Sequence, residues 1–231
     1  MQRNNAKRKL RDGGTVLVLN PNFPSPALVE HAAELGFDVA FIDCEHGTAD
    51  FERVQELARA ARAGGMTSIL RPWSKDPGLI TRYLDCGVGG IQFPCVDSAA
   101  MARDAVEIVR SARGEEFGET LVAVMIESRE GVTNIEDIAR VEGLDVVVIG
   151  MTDLVRAYGH RSDPEHPDVL NAVDTVIAAA SRSEHVVAGY NLHRWEQAPA
   201  LREKGVRWFT IHARGMLRRG RAELDRMLRG S

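Results

Sequence analysis

Eight short apolar runs, separated by stretches with helical periodicity, constrain this chain more than any other feature. They are TVLVL (15–19), DVAFID (38–43), TSILR (67–71), GIQF (90–93), LVAVMIE (121–127), DVVVIG (145–150), HVVAGY (185–190) and RWFTIH (207–212). Runs that are apolar almost throughout, with little alternation, suit parallel strands covered on both faces. The intervening segments, among them PALVEHAAELG, FERVQELARAARAGG and PDVLNAVDTVIAAASR, space apolar residues as helices do, and several end in the glycine that follows many helices. The alternation predicts one (β/α)8 TIM barrel over residues 1–231, with 1–13 a basic arm or short helix and 214–231 a basic C-terminal helix. A doubly wound open sheet is the competing arrangement. Its nucleotide fingerprint is missing, because PNFPSP follows the first run where GxGxxG would be expected, and no GxxxxGK[ST] loop occurs.

Composition narrows the partners. A net charge of −4 offers no basic field for nucleic acid. The odd count of three cysteines, Cys44, Cys86 and Cys95, with no CxxC spacing, argues against a disulfide framework and for a reducing cytoplasm. The apolar stretch VLVL near the N-terminus is broken by Pro21, Pro24 and Pro26, too short for a secretory signal. No stretch approaches the roughly 20 apolar residues of a membrane span.

The runs do not end in ordinary turn residues. LVAVMIE stops at Glu127, DVVVIG leads to Asp153, DVAFID delivers Asp43 and then Glu45 and His46, and TSILR closes on Arg71. Polar groups at the carboxyl ends of several strands converge at one mouth of a barrel, so these residues predict a shared site and an enzyme. Glu127 and Asp153 stand one βα unit apart, and as hard oxygen ligands they could hold Mg²⁺, Mn²⁺ or Co²⁺; helix capping or ion pairing would use the same residues. His46 is a candidate general base, with Asp43 and Glu45 orienting it or supporting a bound ion; a structural His–Asp pair would look alike. Arg71, before Pro72, could present a planar fork to a keto-acid oxygen or pair with Asp76.

Asp85 lies at a helix end where an acid is unfavourable to the dipole, and it is a candidate partner for His46. Gln92, Trp73, Asn191 and His212 are candidates for the pocket wall. The Arg214, Arg218, Arg219 and Arg221 cluster reads as a solvated or oligomer-facing helix surface.

Taken together, IDCEHG, ILRP, YLDCGVGGIQFP, VMIESREGVTNIEDIA and GLDVVVIGMTDL resemble the HpcH/HpaI family of metal-dependent pyruvate aldolases. The resemblance implies a (β/α)8 barrel, often hexameric, with a divalent ion on Glu127 and Asp153. It further implies His46 and Arg71 as the catalytic pair, Asp85 as the partner of that histidine, and the amides of Thr152 and Asp153 as the carboxylate site. The expected reaction is aldol cleavage of a 4-hydroxy-2-oxo acid to pyruvate and an aldehyde. Relatives on the same scaffold decarboxylate oxaloacetate or split acyl-CoA esters, and a silent barrel that only binds a keto acid is the non-enzymatic alternative. Cys44, Met151 and Thr152 replace smaller family residues and are expected to narrow the pocket. The segment SARGEEFGET keeps only Arg113-Gly114 of a longer family loop.

Overall fold

Each apolar run forms a strand within two residues of its expected bounds in the computed structural model, which describes residues 3–160 and 163–229. The strands are β1 (Val16–Asn20), β2 (Val39–Asp43), β3 (Thr67–Arg71), β4 (Gly90–Phe93), β5 (Leu121–Ile126), β6 (Val146–Ile149), β7 (Val187–Asn191) and β8 (Val206–His212). All pair in parallel with their sequence neighbours, and β8 returns to β1 to close the barrel. Closure leaves no free sheet edge and gathers the carboxyl ends of all eight strands around one mouth.

The helices are α1 (Asn5–Arg11), α2 (Pro26–Glu34), α3 (Phe51–Ala63), α4 (Pro77–Asp85), α5 (Ala99–Arg113), α6 (Arg129–Thr133), α7 (Ile135–Ile138), α8 (Met151–Ala157), α9 (Pro167–Arg182), α10 (Ala198–Glu203) and α11 (Ala213–Arg229). Several starts are written locally: Ser25, Asp50, Asp76 and Ser98 each accept a backbone N–H from the first turn of their helix. Helix α8 was not expected from the sequence. It begins immediately after β6 and carries Thr152 and Asp153 in its first turn.

Side chains alternate between two cores. One lies between strands and helices, and the other fills the barrel with Val16, Val18, Val39, Phe41, Ile69, Leu121, Ala123, Met125, Val146, Val148 and Trp208. Trp208 is fully buried there, and Gly189 on the neighbouring strand makes room, since a Cβ at that position would lie 2.9 Å from the indole. The basic N-terminal segment is a helix: α1 packs Ala6 and Leu10 against the interior core and closes the amino-terminal end of the barrel. Residues 1–2 of that segment and 230–231 of the expected C-terminal helix range lie outside the described residues. Among the described residues, no helix is long and apolar enough to cross a membrane.

Candidate active site

Because strand side chains alternate, the residues two beyond Phe41, Ile69 and Met125 also point into the barrel, now at its carboxyl end. These are Asp43, Arg71 and Glu127. They line a cavity of about 950 Å³ together with Glu45, His46, Thr152, Asp153, Asn191 and His212. The sequence-derived group thus converges on one mouth.

Asp43 and Arg71 are register partners on β2 and β3, so their side chains leave the sheet side by side. Arg71 donates from Nε to Asp43 Oδ1 at 3.1 Å and from Nη2 to Oδ2 at 2.6 Å, a two-pronged pair. Its Nη1 lies 3.0 Å from Glu45 Oε2. Burial alone would raise Asp43, but the Arg71 bonds and charge, with the N–H groups of His46 and Glu45, hold it below the usual carboxylate range. Asp43 therefore fixes both the arginine and the turn that carries His46. The imidazole itself is 69% exposed, with Nε2 3.8 Å from Glu45 Oε2, and stands free in the cavity.

Glu127 follows β5 directly and is buried. Its Oε1 accepts the backbone N–H of Cys95 at 3.1 Å, and Cys95 holds a positive φ of 50° there. The other face of the carboxylate lies against Gly150, where a Cβ would come within 2.5 Å of Glu127 Cγ, so only glycine permits this approach. Burial and the nearby Asp153 carboxylate push Glu127 up to about 6, against the pull of the Cys95 N–H and Arg71. Asp153 is half-exposed, on the first turn of α8, with Arg156 Nη1 at 2.9 Å. Two carboxylates side by side at a cavity mouth, with Glu127 raised by burial and by Asp153, suit a divalent cation, since both are hard oxygen donors and a cation relieves their repulsion.

Other expected residues lie elsewhere. Asp85 is exposed as the last residue of α4, which begins beyond the mouth and runs back toward the amino-terminal end, so within this chain it does not join His46. Trp73 is largely exposed and outside the cavity wall. Gln92 points inward but lies buried below the cavity, its Oε1 without a hydrogen-bond partner among the described residues. Of the three residues expected to narrow the pocket, only Thr152 reaches it; Cys44 and Met151 are buried in the core between strands and helices.

The structure adds residues that sequence reasoning missed. Asn20, Asn22, His193 and Arg156 line the cavity, and so do Arg214, Arg218 and Arg219 from α11. The signal for those arginines was present: α11 starts one residue after β8, so its first two turns must flank the mouth. Asn22 accepts the Arg214 N–H on Oδ1 at 3.0 Å, which turns its Nδ2 toward His212 Nδ1 at 3.1 Å. The imidazole therefore accepts at Nδ1 and carries its proton on Nε2. Burial, with His193 and Arg71 nearby, depresses the His212 pKa, which keeps the ring neutral.

The sequence profile described as HpcH/HpaI aldolase/citrate lyase matches residues 18–212. The pyruvate aldolase of Rhizobium etli is 34% identical over 196 residues, covering 75% of this chain and 77% of the relative. A hydroxypyruvate/pyruvate aldolase of Pseudomonas aeruginosa is 33% identical over 197 residues, with 75% and 74% coverage. The crystal structure of an HpcH/HpaI aldolase/citrate lyase family protein from Burkholderia cenocepacia superposes with a TM-score of 0.88 at 28% identity, covering 98% of this chain and all of the other.

Proposed function

Because the chain belongs to the HpcH/HpaI aldolase/citrate lyase family and is a carbon–carbon lyase of that class, we propose that it cleaves a 4-hydroxy-2-oxo acid to pyruvate and an aldehyde, with a divalent ion on Glu127 and Asp153. The observation that carries this reading is the pair of mutually repelling carboxylates beside a clamped Arg71 in one cavity. Mg²⁺, Mn²⁺ or Co²⁺ suits the two hard oxygen donors, and such an ion supplies positive charge near the oxygen where electrons collect as the C3–C4 bond breaks.

The protein side of the reaction follows from the contacts. Arg71 spends Nε, one Nη2 hydrogen and one Nη1 hydrogen on Asp43 and Glu45, leaving a second Nη2 hydrogen, and an Nη1 hydrogen that meets only Met125 Sδ at 3.9 Å. Those N–H groups are held in place before charge develops, so they stabilise the enolate oxygen without reorganising. His46, exposed to the cavity, takes the C4 hydroxyl proton directly or through a water. The amides of Thr152 and Asp153, at the start of α8 where intrahelical acceptors run out, receive the substrate carboxylate. The guanidinium groups of Arg214 and Arg218 have no carboxylate partner among the described residues, which favours an aldehyde half that carries its own anion.

A lysine route finds no support: the four lysines are Lys7, Lys9, Lys75 and Lys204, and none lines the cavity. Helix α11 exposes Leu217, Leu224, Met227 and Leu228, a surface that a homo-oligomer would cover. The three free cysteines, Cys44, Cys86 and Cys95, support a reading of cytoplasmic residence. The decisive experiment is pyruvate release from a panel of 4-hydroxy-2-oxo acids and oxaloacetate, with Mg²⁺, Mn²⁺ or Co²⁺ and with excess EDTA. Reversible silencing by EDTA supports the proposal. Full activity in EDTA, or pyruvate trapped on a lysine by borohydride, overturns it. Turnover of oxaloacetate alone assigns a decarboxylase instead.

A further inference from the structure

Between the end of α8 and the first turn of α9 stands a group of side chains of metal-ligating type, outside the cavity. A ring nitrogen of His160, a ring nitrogen of His166 and a carboxylate oxygen of Asp168 all lie within 4.8 Å of one another. The two imidazoles are stacked, with centroids 3.4 Å apart and planes 16° from parallel. Asp168 Oδ2 is 3.4 Å from His160 Nε2 and 3.6 Å from His166 Nδ1.

Helix capping accounts for part of this group. His166 precedes α9, and its Nδ1 accepts the Asp168 N–H at 3.2 Å. Capping does not explain why His160 is brought face to face with His166 and turned toward the same carboxylate. One carboxylate facing two imidazoles is the donor set of a transition-metal site, and it differs in kind from the all-carboxylate pair at the mouth. The spacing also fits: ligands about 2.0–2.1 Å from a tetrahedral ion stand about 3.4 Å apart, near the distances from Asp168 Oδ2 to His160 Nε2 and His166 Nδ1, the latter exchanging the Asp168 N–H for the ion on binding. The adjacent acids are otherwise engaged. Glu165 pairs with Arg194, and Asp163 accepts the Glu165 N–H, so the fourth position would fall to a water.

We propose that His160, His166 and Asp168 form a Zn²⁺-class site that ties the carboxyl end of α8 to the amino end of α9. Such a cross-link braces from outside the short helix whose first turn carries Thr152 and Asp153. It is independent of the aldolase reading, because neither the ligands nor the preferred ion are shared with Glu127 and Asp153.

The test uses the untagged full-length protein carrying Glu127→Gln, which removes the mouth carboxylate from competition. Titration with Co²⁺ should fill one site per chain and give the intense visible bands of tetrahedral coordination, and Zn²⁺ should displace it and raise the melting temperature. Adding His160→Ala or Asp168→Asn should weaken Co²⁺ binding by at least about 10–100-fold, the loss typical even of outer-shell changes, and abolish the Zn²⁺-dependent melting shift. Asp168→Asn keeps the side chain's size and, in the metal-free protein, the backbone N–H that caps through His166, so its loss of binding cannot be assigned to misfolding. If Glu127→Gln binds no Co²⁺, or if the added substitutions leave binding unchanged, the proposal fails, whatever the outcome of the pyruvate assay.

Discussion

Charge is buried at both ends of the barrel, and the two ends balance it differently. At the amino-terminal end Lys7 donates to Asp145 at 2.9 Å and to the Thr120 carbonyl at 2.7 Å, while Asp145 also accepts the Val122 N–H. Asn4 completes that plug by bonding Gly89, Glu119, Thr67 and Lys7. At the carboxyl end Asp43 and Arg71 are paired as fully, but Glu127 has one backbone donor and a second carboxylate for a neighbour. A buried charge is therefore not in itself a mark of function. The mark is a buried charge whose balance the chain leaves incomplete beside an open cavity.

Substitution at Glu127 should break the comparison most strongly. Glu127→Ala removes one of the two carboxylates proposed to hold the ion at the mouth, so pyruvate release should fall by about 10³-fold or more, the scale of several kcal/mol of lost charge stabilisation. Thermal stability of the metal-free protein should hold or rise, since a strained carboxylate is gone. A steep loss of stability would instead class Glu127 with the structural charges of the other end. His46→Ala should reduce aldol cleavage by about 10²–10⁴-fold, because a base for the hydroxyl proton is lost. Any oxaloacetate decarboxylation should survive, as it needs no such base; equal loss of both activities would remove His46 from the proposed role.

The reverse experiment belongs at the other end. Lys7→Ala strands Asp145 in the core beneath α1, and breaking a buried pair in this way costs about 3–5 kcal/mol. Turnover per folded molecule should be unchanged. Chemical denaturation alongside initial rates checks both, and a drop in turnover at full folding would show that the plug reaches the mouth.

What could be read from the sequence divides along the same axis. The eight strands were legible because each is a run of β-branched and aliphatic residues bounded by glycine or polar turns, and the side-chain period of two then carries Asp43, Arg71 and Glu127 to one face. Helix α8 was hidden, because GMTDL reads as a strand end when its ligand residue draws attention. The placement of Asp85 depends on the direction of α4, which returns it to the far end of the barrel. Nothing local to Cys95 announces a positive φ, nor a backbone N–H aimed at a residue 32 positions away. The pairing of Asn22 with His212 spans almost the whole chain and exists only once β8 meets β1. Local pattern sets element type, whereas the partner of each polar group is set by closure.

The smallest predicted effect is also the most direct measure of the imbalance at the mouth. Glu127 holds its proton up to about 6, above its ordinary 4.5, so the folded state binds that proton more tightly than the unfolded state. This group therefore costs stability as pH rises from 4.5 toward 6, and the cost is full above that window. Asp43 has the opposite sign, held below its usual range by Arg71: it stabilises the fold at neutral pH and loses that contribution as pH falls. A cation must displace the Glu127 proton, so Mg²⁺ or Mn²⁺ affinity should be flat above about pH 6 and fall up to about tenfold per unit below it. Calorimetric titration between pH 5 and 7, conditions set by that value, measures the break. In Glu127→Gln the break should vanish together with the binding. An affinity that keeps falling from pH 7 with no plateau would place the controlling proton on a group other than Glu127, and would mean that the mouth is not poised by the two carboxylates.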